Sequence, residues 1–349
     1  MTEARIASPW SGRTAVVPRV QAKGRRVFET LNGLRGLAAL VVLCVHMRAS
    51  LPPLLGFASG ELAVDLFFML SGFVLAEAYG ASFDAGMDAP TFLRLRLRRL
   101  YPLYALGAIL GLAHWLGHDR ARLLTAAPLA LAMLPNPFGA MLYPTNIPAW
   151  SLFFELVANV ILALLWRRLS AGVLAMIVGV GAAGLVAGAR LYGGLSEGFL
   201  WDGFFVGFAR VCFSFFLGVA LHRMRLRAPA INPWLILAAM LALLSLAPGP
   251  QWRWLVDLAV VMLGAPALIL LGAAARTGPQ SRPVFALAGL VSYALYAIHA
   301  PLLTLANQLA SRLRLETTPA LVLAEAAAVL FLAWIAARAL DPPARRRPS

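Results

Sequence analysis

What most constrains this chain is a succession of apolar runs, each about as long as a bilayer is thick. A helix needs roughly 20 predominantly apolar residues to cross a hydrocarbon core of ~30 Å. Ten stretches approach that length: 31–49, 61–79, 100–117, 148–166, 171–189, 203–221, 232–247, 254–273, 284–307 and 319–338. Lipid offers a backbone no hydrogen-bond partner, so runs of this kind fold as helices. Composition agrees. The 349 residues are 61% apolar and 13% charged, whereas ordinary soluble domains are roughly 45–50% apolar and about 25% charged. A soluble globular protein, a disordered chain and a fibre are thereby excluded. The sequence predicts an all-α polytopic membrane protein of about ten transmembrane helices over 28–341. Basic cytoplasmic tails at 1–27 and 342–349 are expected to be disordered. The stretch 122–134 is apolar but too short to cross, which predicts one short interfacial or re-entrant helix. Residues 135–149 are rich in Pro, Gly and Asn and predict a loop.

The net charge of +15 comes from 30 basic and 15 acidic residues. With both termini placed in the cytoplasm, 21 of the basic residues fall in cytoplasmic segments and 7 on the opposite side. That bias is the positive-inside pattern. It explains the charge by topology and attraction to anionic membrane lipids, and nucleic acid is not expected as a partner. Residues 1–30 hold no long apolar core, so they do not read as a cleaved signal peptide. Cys44 and Cys212 lie in separate apolar runs and offer neither a disulfide framework nor metal spacing; no metal is expected.

Ionisable groups inside lipid are expensive and mark function by default. Within the spans stand Arg35, His46, Asp65, Glu77, Glu155, Arg210, Asp257, His299 and Glu325. Glu77 and Asp257 lie near span ends and read as interfacial, and Trp150 and Trp201 read as aromatic-belt residues. Arg35 and His46 are 11 residues apart, about 16 Å along one helix face. Ser151, Glu155 and Asn159 recur every four residues as a polar stripe. Counting from the span ends puts His46, Asp65, Glu155 and His299 at one depth, about 6–10 Å below the outer face. The run Arg94-Leu-Arg-Leu-Arg-Arg99 precedes Tyr101-Pro-Leu-Tyr104 at the inner mouth, where guanidinium groups suit a phosphate. Histidine and carboxylates in spans also make proton relays, so a proton-coupled transporter or exporter is the alternative reading. Such transporters often carry inverted repeats and broken helices, and the sequence has no convincing internal repeat.

Five segments carry a resemblance. Leu31-Asn-Gly-Leu-Arg-Gly-Leu-Ala-Ala-Leu40 running to His46, Asp65-Leu-Phe-Phe-Met-Leu-Ser-Gly-Phe73, and Arg96-Leu-Arg-Arg99 before Tyr101-Pro102 are the first three. Trp150-Ser-Leu-Phe-Phe-Glu155 and Ser292-Tyr-Ala-Leu-Tyr-Ala-Ile-His299 complete the set. In this order, over about residues 29–301, they resemble the acyltransferase type 3 membrane family. Asn32 and Leu156-Val-Ala-Asn159 depart from the common pattern. The resemblance implies transfer of an acyl group, commonly acetyl, from acyl-CoA as co-substrate to a hydroxyl of an exported saccharide or lipid-linked saccharide, at a bacterial inner membrane. It ties activity to His46, Arg35, Arg96 and Arg99. On that reading His46 is the general base, with Glu155 or Asp65 fixing its tautomer. Arg35, Arg96 and Arg99 hold the CoA phosphates, and the pantetheine arm threads outward along the first span. Ser151, Asn159, Tyr296 and His299 stand as supporting residues.

Overall fold

A computed structural model of the chain describes residues 28–340 apart from 53, 54, 56 and 117–119, with only the backbone of Arg48 and of 120–122. The two tails expected at 1–27 and 342–349 lie outside the described residues. Among these residues the chain is helical, the one β feature being an isolated bridge between Met141 and Leu200. The helices are α1 (Glu29–Met47), α2 (Ala63–Asp84), α3 (Ala89–Trp115), α4 (Arg120–Leu131), α5 (Ala149–Leu165) and α6 (Ala171–Tyr192). They continue as α7 (Phe204–Met224), α8 (Pro233–Leu244), α9 (Pro250–Ala259), α10 (Ala265–Ala274), α11 (Ser281–Arg312) and α12 (Pro319–Leu340). A π-helical stretch, Val260–Gly264, joins α9 to α10.

Eight of the described helical stretches are long and apolar enough to cross a membrane, the α9–α10 pair counting as one. Ten were expected, and the two missing ones have physical reasons. The run at 232–247 becomes a helix of 12 residues, about 18 Å long at 1.5 Å per residue. The run at 100–117 is the second half of α3, a 27-residue helix whose first half carries Arg94, Arg96, Arg98 and Arg99. That basic run was expected ahead of a helix and instead lies on one. The short segment predicted at 122–134 is the 12-residue α4.

Helices α1, α2, α7 and α11 form the buried centre, and α6 and α12 keep much of their surface exposed. Small residues let the backbones approach, as is usual where lipid supplies no hydrophobic drive between helices. A Cβ at Gly72 would lie 1.9 Å from the Phe215 carbonyl oxygen, and one at Gly218 would lie 2.1 Å from that of Met69. These two contacts lock α2 to α7. Gly36 meets the backbone of Ala288 in the same way, and Gly107 that of Ala297, so α11 is held closely by α1 on one side and α3 on the other.

Candidate active site

Helices α1 and α11 run side by side in the same direction. Near the start of α1, Arg35 Nη2 donates to the Gly289 carbonyl at 3.1 Å. In its last turn, His46 Nδ1 lies 2.9 Å from the Val42 carbonyl oxygen and 3.3 Å from His299 Nε2. The two imidazoles meet edge to face, with centroids 4.7 Å apart and planes at 75°. His299 is buried while His46 is exposed. His299 Nδ1 in turn faces the carbonyl oxygens of Leu295 at 3.0 Å and Tyr296 at 2.9 Å.

The face of α1 between Arg35 and His46 is packed. Ala39 and Val42 are 1% and 4% exposed, and Ala39 lies in an apolar cluster with Leu43, Leu103, Ala294, Leu295 and Ile298. The passage expected along this face is therefore filled by side chains. Polar groups follow a different line, on α11 and α5. Ser292 Oγ donates to the Gly289 carbonyl at 2.8 Å. One turn on, Tyr296 Oη is 2.6 Å from Ser151 Oγ. Glu155 stands one turn along α5 from Ser151. Its Oε1 accepts from Ser71 Oγ at 2.6 Å and from Arg96 Nη2 at 3.0 Å.

This corrects the expected partners of His46. The group against its imidazole is His299, while Glu155 is held by Arg96 and Ser71. Asp65 is fully buried and engaged by Arg210, whose Nη2 lies 2.7 Å from Asp65 Oδ2 and whose Nε reaches both carboxylate oxygens. Ser214 Oγ donates to Asp65 Oδ1 at 3.3 Å. Nη1 donates to the Glu197 carbonyl and Nη2 also to that of Glu61. Trp150, expected in an interfacial belt, is buried with its ring 5.2 Å from the Arg210 guanidinium.

The expected common depth does not hold either. Trp150 lies beside Arg210 and Asp65, and Glu155 is five residues further along α5, about 7.5 Å. Ser71, which touches Glu155, is six residues from Asp65 on α2, about 9 Å. Glu155 thus occupies a deeper level, with Arg96.

Of the basic run on α3, Arg96 is buried whereas Arg94, Arg98 and Arg99 are exposed. Arg96 and Arg99 are therefore not a matched clamp: one is committed to Glu155 and the other faces outward one turn away. Two sets of buried polar atoms near Glu155 have no hydrogen-bond partner, Arg96 Nε and both amide atoms of Asn159. Asn159 is fully buried one turn beyond Glu155. Among the described residues no three His, Cys, Asp or Glu side chains gather as a metal site.

The family model described as an acyltransferase domain matches residues 28–338, nearly all of the described chain. This protein belongs to the acyltransferase 3 family. It is an enzyme, an acyltransferase, and a multi-pass membrane protein. It is similar to "Protein 2 in picA locus" of Rhizobium radiobacter, 44% identical over an alignment covering 39% of this chain and 81% of that protein. No solved structure matches.

Sequence reasoning on this family member passed over several polar residues. Arg210 stands within a span with no role assigned from sequence, and Ser71 appears there only as part of a motif. Asp257, read as interfacial, is fully buried. It accepts from Leu195 N–H at 2.9 Å and forms an ion pair with Arg253, whose Nε lies 2.9 Å from Oδ1. Glu77, also read as interfacial, lies 2.8 Å from His222 Nε2. A pairing search could have found these, since each buried charge needs a partner of opposite sign. The sequence alone leaves that partner's identity open.

Proposed function

We propose that this acyltransferase moves an acyl group, acetyl in the simplest case, from acyl-CoA to a hydroxyl of an exported saccharide or lipid-linked saccharide, in a bacterial inner membrane. The observation that carries the reading is His46 at the end of α1. Its Nδ1 faces the Val42 carbonyl, which only accepts, so Nδ1 carries the proton and Nε2 the lone pair. Nε2 takes the acceptor hydroxyl's proton as the oxygen attacks the thioester carbonyl. The carbon–sulfur bond then breaks, and the CoA thiolate takes the proton back from the imidazolium. An ester and free CoA result. General-base action of this kind contributes on the order of 10²–10⁴-fold.

Arg99, exposed on α3, and Arg35 at the same end of the molecule are suited to the CoA phosphates. Arg96 holds Glu155 and keeps its unpartnered Nε as a further donor. The Arg96 end then faces the cytoplasm, as the distribution of basic residues favours. Because the face of α1 is packed, the pantetheine arm is assigned to the polar line of Glu155, Ser151 and Tyr296.

The test is transfer of radiolabel from acetyl-CoA to membrane glycan and lipid fractions. His46→Ala at wild-type protein level is expected to lose transfer by at least about 10²-fold. Undiminished transfer would remove His46 from the mechanism.

A further inference from the structure

His299 is buried at 1% exposure, yet it spends both ring nitrogens on defined neighbours. Its Nδ1 lies between two carbonyl oxygens, those of Leu295 and Tyr296. Carbonyls cannot donate, so this nitrogen is protonated, and in the neutral ring Nε2 is then an acceptor. That acceptor is aimed at His46 Nδ1, 3.3 Å away. His46 Nδ1 therefore meets two acceptors, His299 Nε2 from α11 and the Val42 carbonyl from α1. A single proton on Nδ1 answers both. The titratable side chains in ring contact with His299 are His46 and Tyr296, the latter at a centroid separation of 6.0 Å.

We propose that His299 is the positioning residue of His46: a neutral imidazole, itself fixed by backbone carbonyls, that reinforces the tautomer favoured by the Val42 carbonyl, holds the ring in place and supports the positive charge formed when Nε2 takes a proton. In hydrolytic triads a carboxylate does this work. Here the carboxylates of Glu155 and Asp65 are engaged elsewhere, by Arg96 and Arg210. A neutral acceptor suits a buried position, since it carries no charge to desolvate. The rate effect rests on the reading of His46 as base; the tautomer does not.

Two measurements on the full-length protein separate these claims. The first is 15N spectroscopy of histidine-labelled protein in nanodiscs, with the His46 signals identified by their loss in His46→Gln. Wild type is expected to show the Nδ1–H form of His46, and His299→Phe a smaller fraction of that form, since only the Val42 carbonyl then remains to favour it. The second is label transfer from acetyl-CoA. His299→Phe keeps the ring volume without an acceptor and is expected to lower the maximal rate about 10²-fold, leaving the KM for acetyl-CoA unchanged. His299→Gln places an amide oxygen near the position of Nε2 and is expected to recover most of that rate. In a His46→Ala background, His299→Phe is expected to cost nothing further. An unchanged tautomer and rate in His299→Phe, or equal losses in the Phe and Gln variants, overturns the proposal. If His46→Ala transfers normally while the tautomer still responds to His299, the base reading fails and the positioning contact stands.

Discussion

Two of the arginine–carboxylate pairs inside this bundle, Arg210–Asp65 and Arg96–Glu155, are built differently. Arg210 and Asp65 are 1% and 0% exposed in their side chains. Each nitrogen of Arg210 has a partner, Asp65 or the carbonyls of Glu61 and Glu197, and the guanidinium lies against the ring of Trp150. Arg96 and Glu155 are 7% and 15% exposed. Ser71 joins their bond, while among the described residues Arg96 Nε and the nearby Asn159 amide have no partner. In the first pair every side-chain nitrogen and oxygen has a partner, and it ties α2 and α7 to the carbonyls of Glu61 and Glu197. The second retains hydrogen-bonding capacity that the fold does not use. Buried polar groups are ordinarily satisfied, so spare capacity of this kind belongs to a site and saturation belongs to a clamp.

The largest effect that would break this contrast is at the clamp. Arg210→Met strands Asp65 and is expected to cost about 3–5 kcal/mol, the usual result of removing one member of a buried pair. Little folded protein should survive detergent extraction and size-exclusion chromatography. Recovery of normal yield would mean that the saturated pair is dispensable.

Arg96→Gln is expected to behave in the opposite sense. Ser71 still donates to Glu155, so folding should fall by only about 1–2 kcal/mol. Acyl transfer should drop on the order of 10²-fold, with the KM for acetyl-CoA raised. Thermal melting beside steady-state rates reads both. A variant that unfolds as completely as Arg210→Met would erase the distinction.

Asn159→Leu sharpens it further. Removing an unpaired buried amide is expected to stabilise the protein by about 1–3 kcal/mol, while transfer declines if that amide serves the substrate. A rise in melting temperature with unaltered kinetics would place Asn159 outside the site.

The smallest effect concerns the start of α3, which carries Arg96. Asp88 caps that helix by accepting from the Thr91 N–H at 3.0 Å. Its carboxyl is held below the usual carboxylate range, first by the Thr91 hydrogen bonds and least by Arg94. The capping contribution is therefore present above the ordinary carboxylate pKa and is lost as pH falls through the lowered value. Asp88→Ala should reduce the melting temperature slightly at neutral pH and not at all in strong acid.

How much of this was legible beforehand differs from residue to residue. The short helix α4, the loop after it and most apolar spans follow from run length and turn residues, which are local properties. Span 232–247 failed because its helix, capped by Asn232 and opening at Pro233 as expected, stops at Leu244 after 12 residues. Arg35 and His46 were correctly aligned on one face, because helical phase needs only the sequence. What lies against that face was not legible: α11 presents Gly289 to one end and His299 to the other, across more than 240 positions of chain.

Sequence alone settled the solvent, the helical class, the polar stripes and the order of the motifs, because each depends on residues close together in the chain. Tertiary structure alone decided which charge meets which: Asp65 with Arg210, Glu155 with Arg96 and Ser71, His46 with His299. The physical reason is that a buried charge or imidazole takes its state from the groups within about 3 Å of it. In a helical bundle those groups arrive from other helices, at offsets set by glycine-spaced packing rather than by the chain.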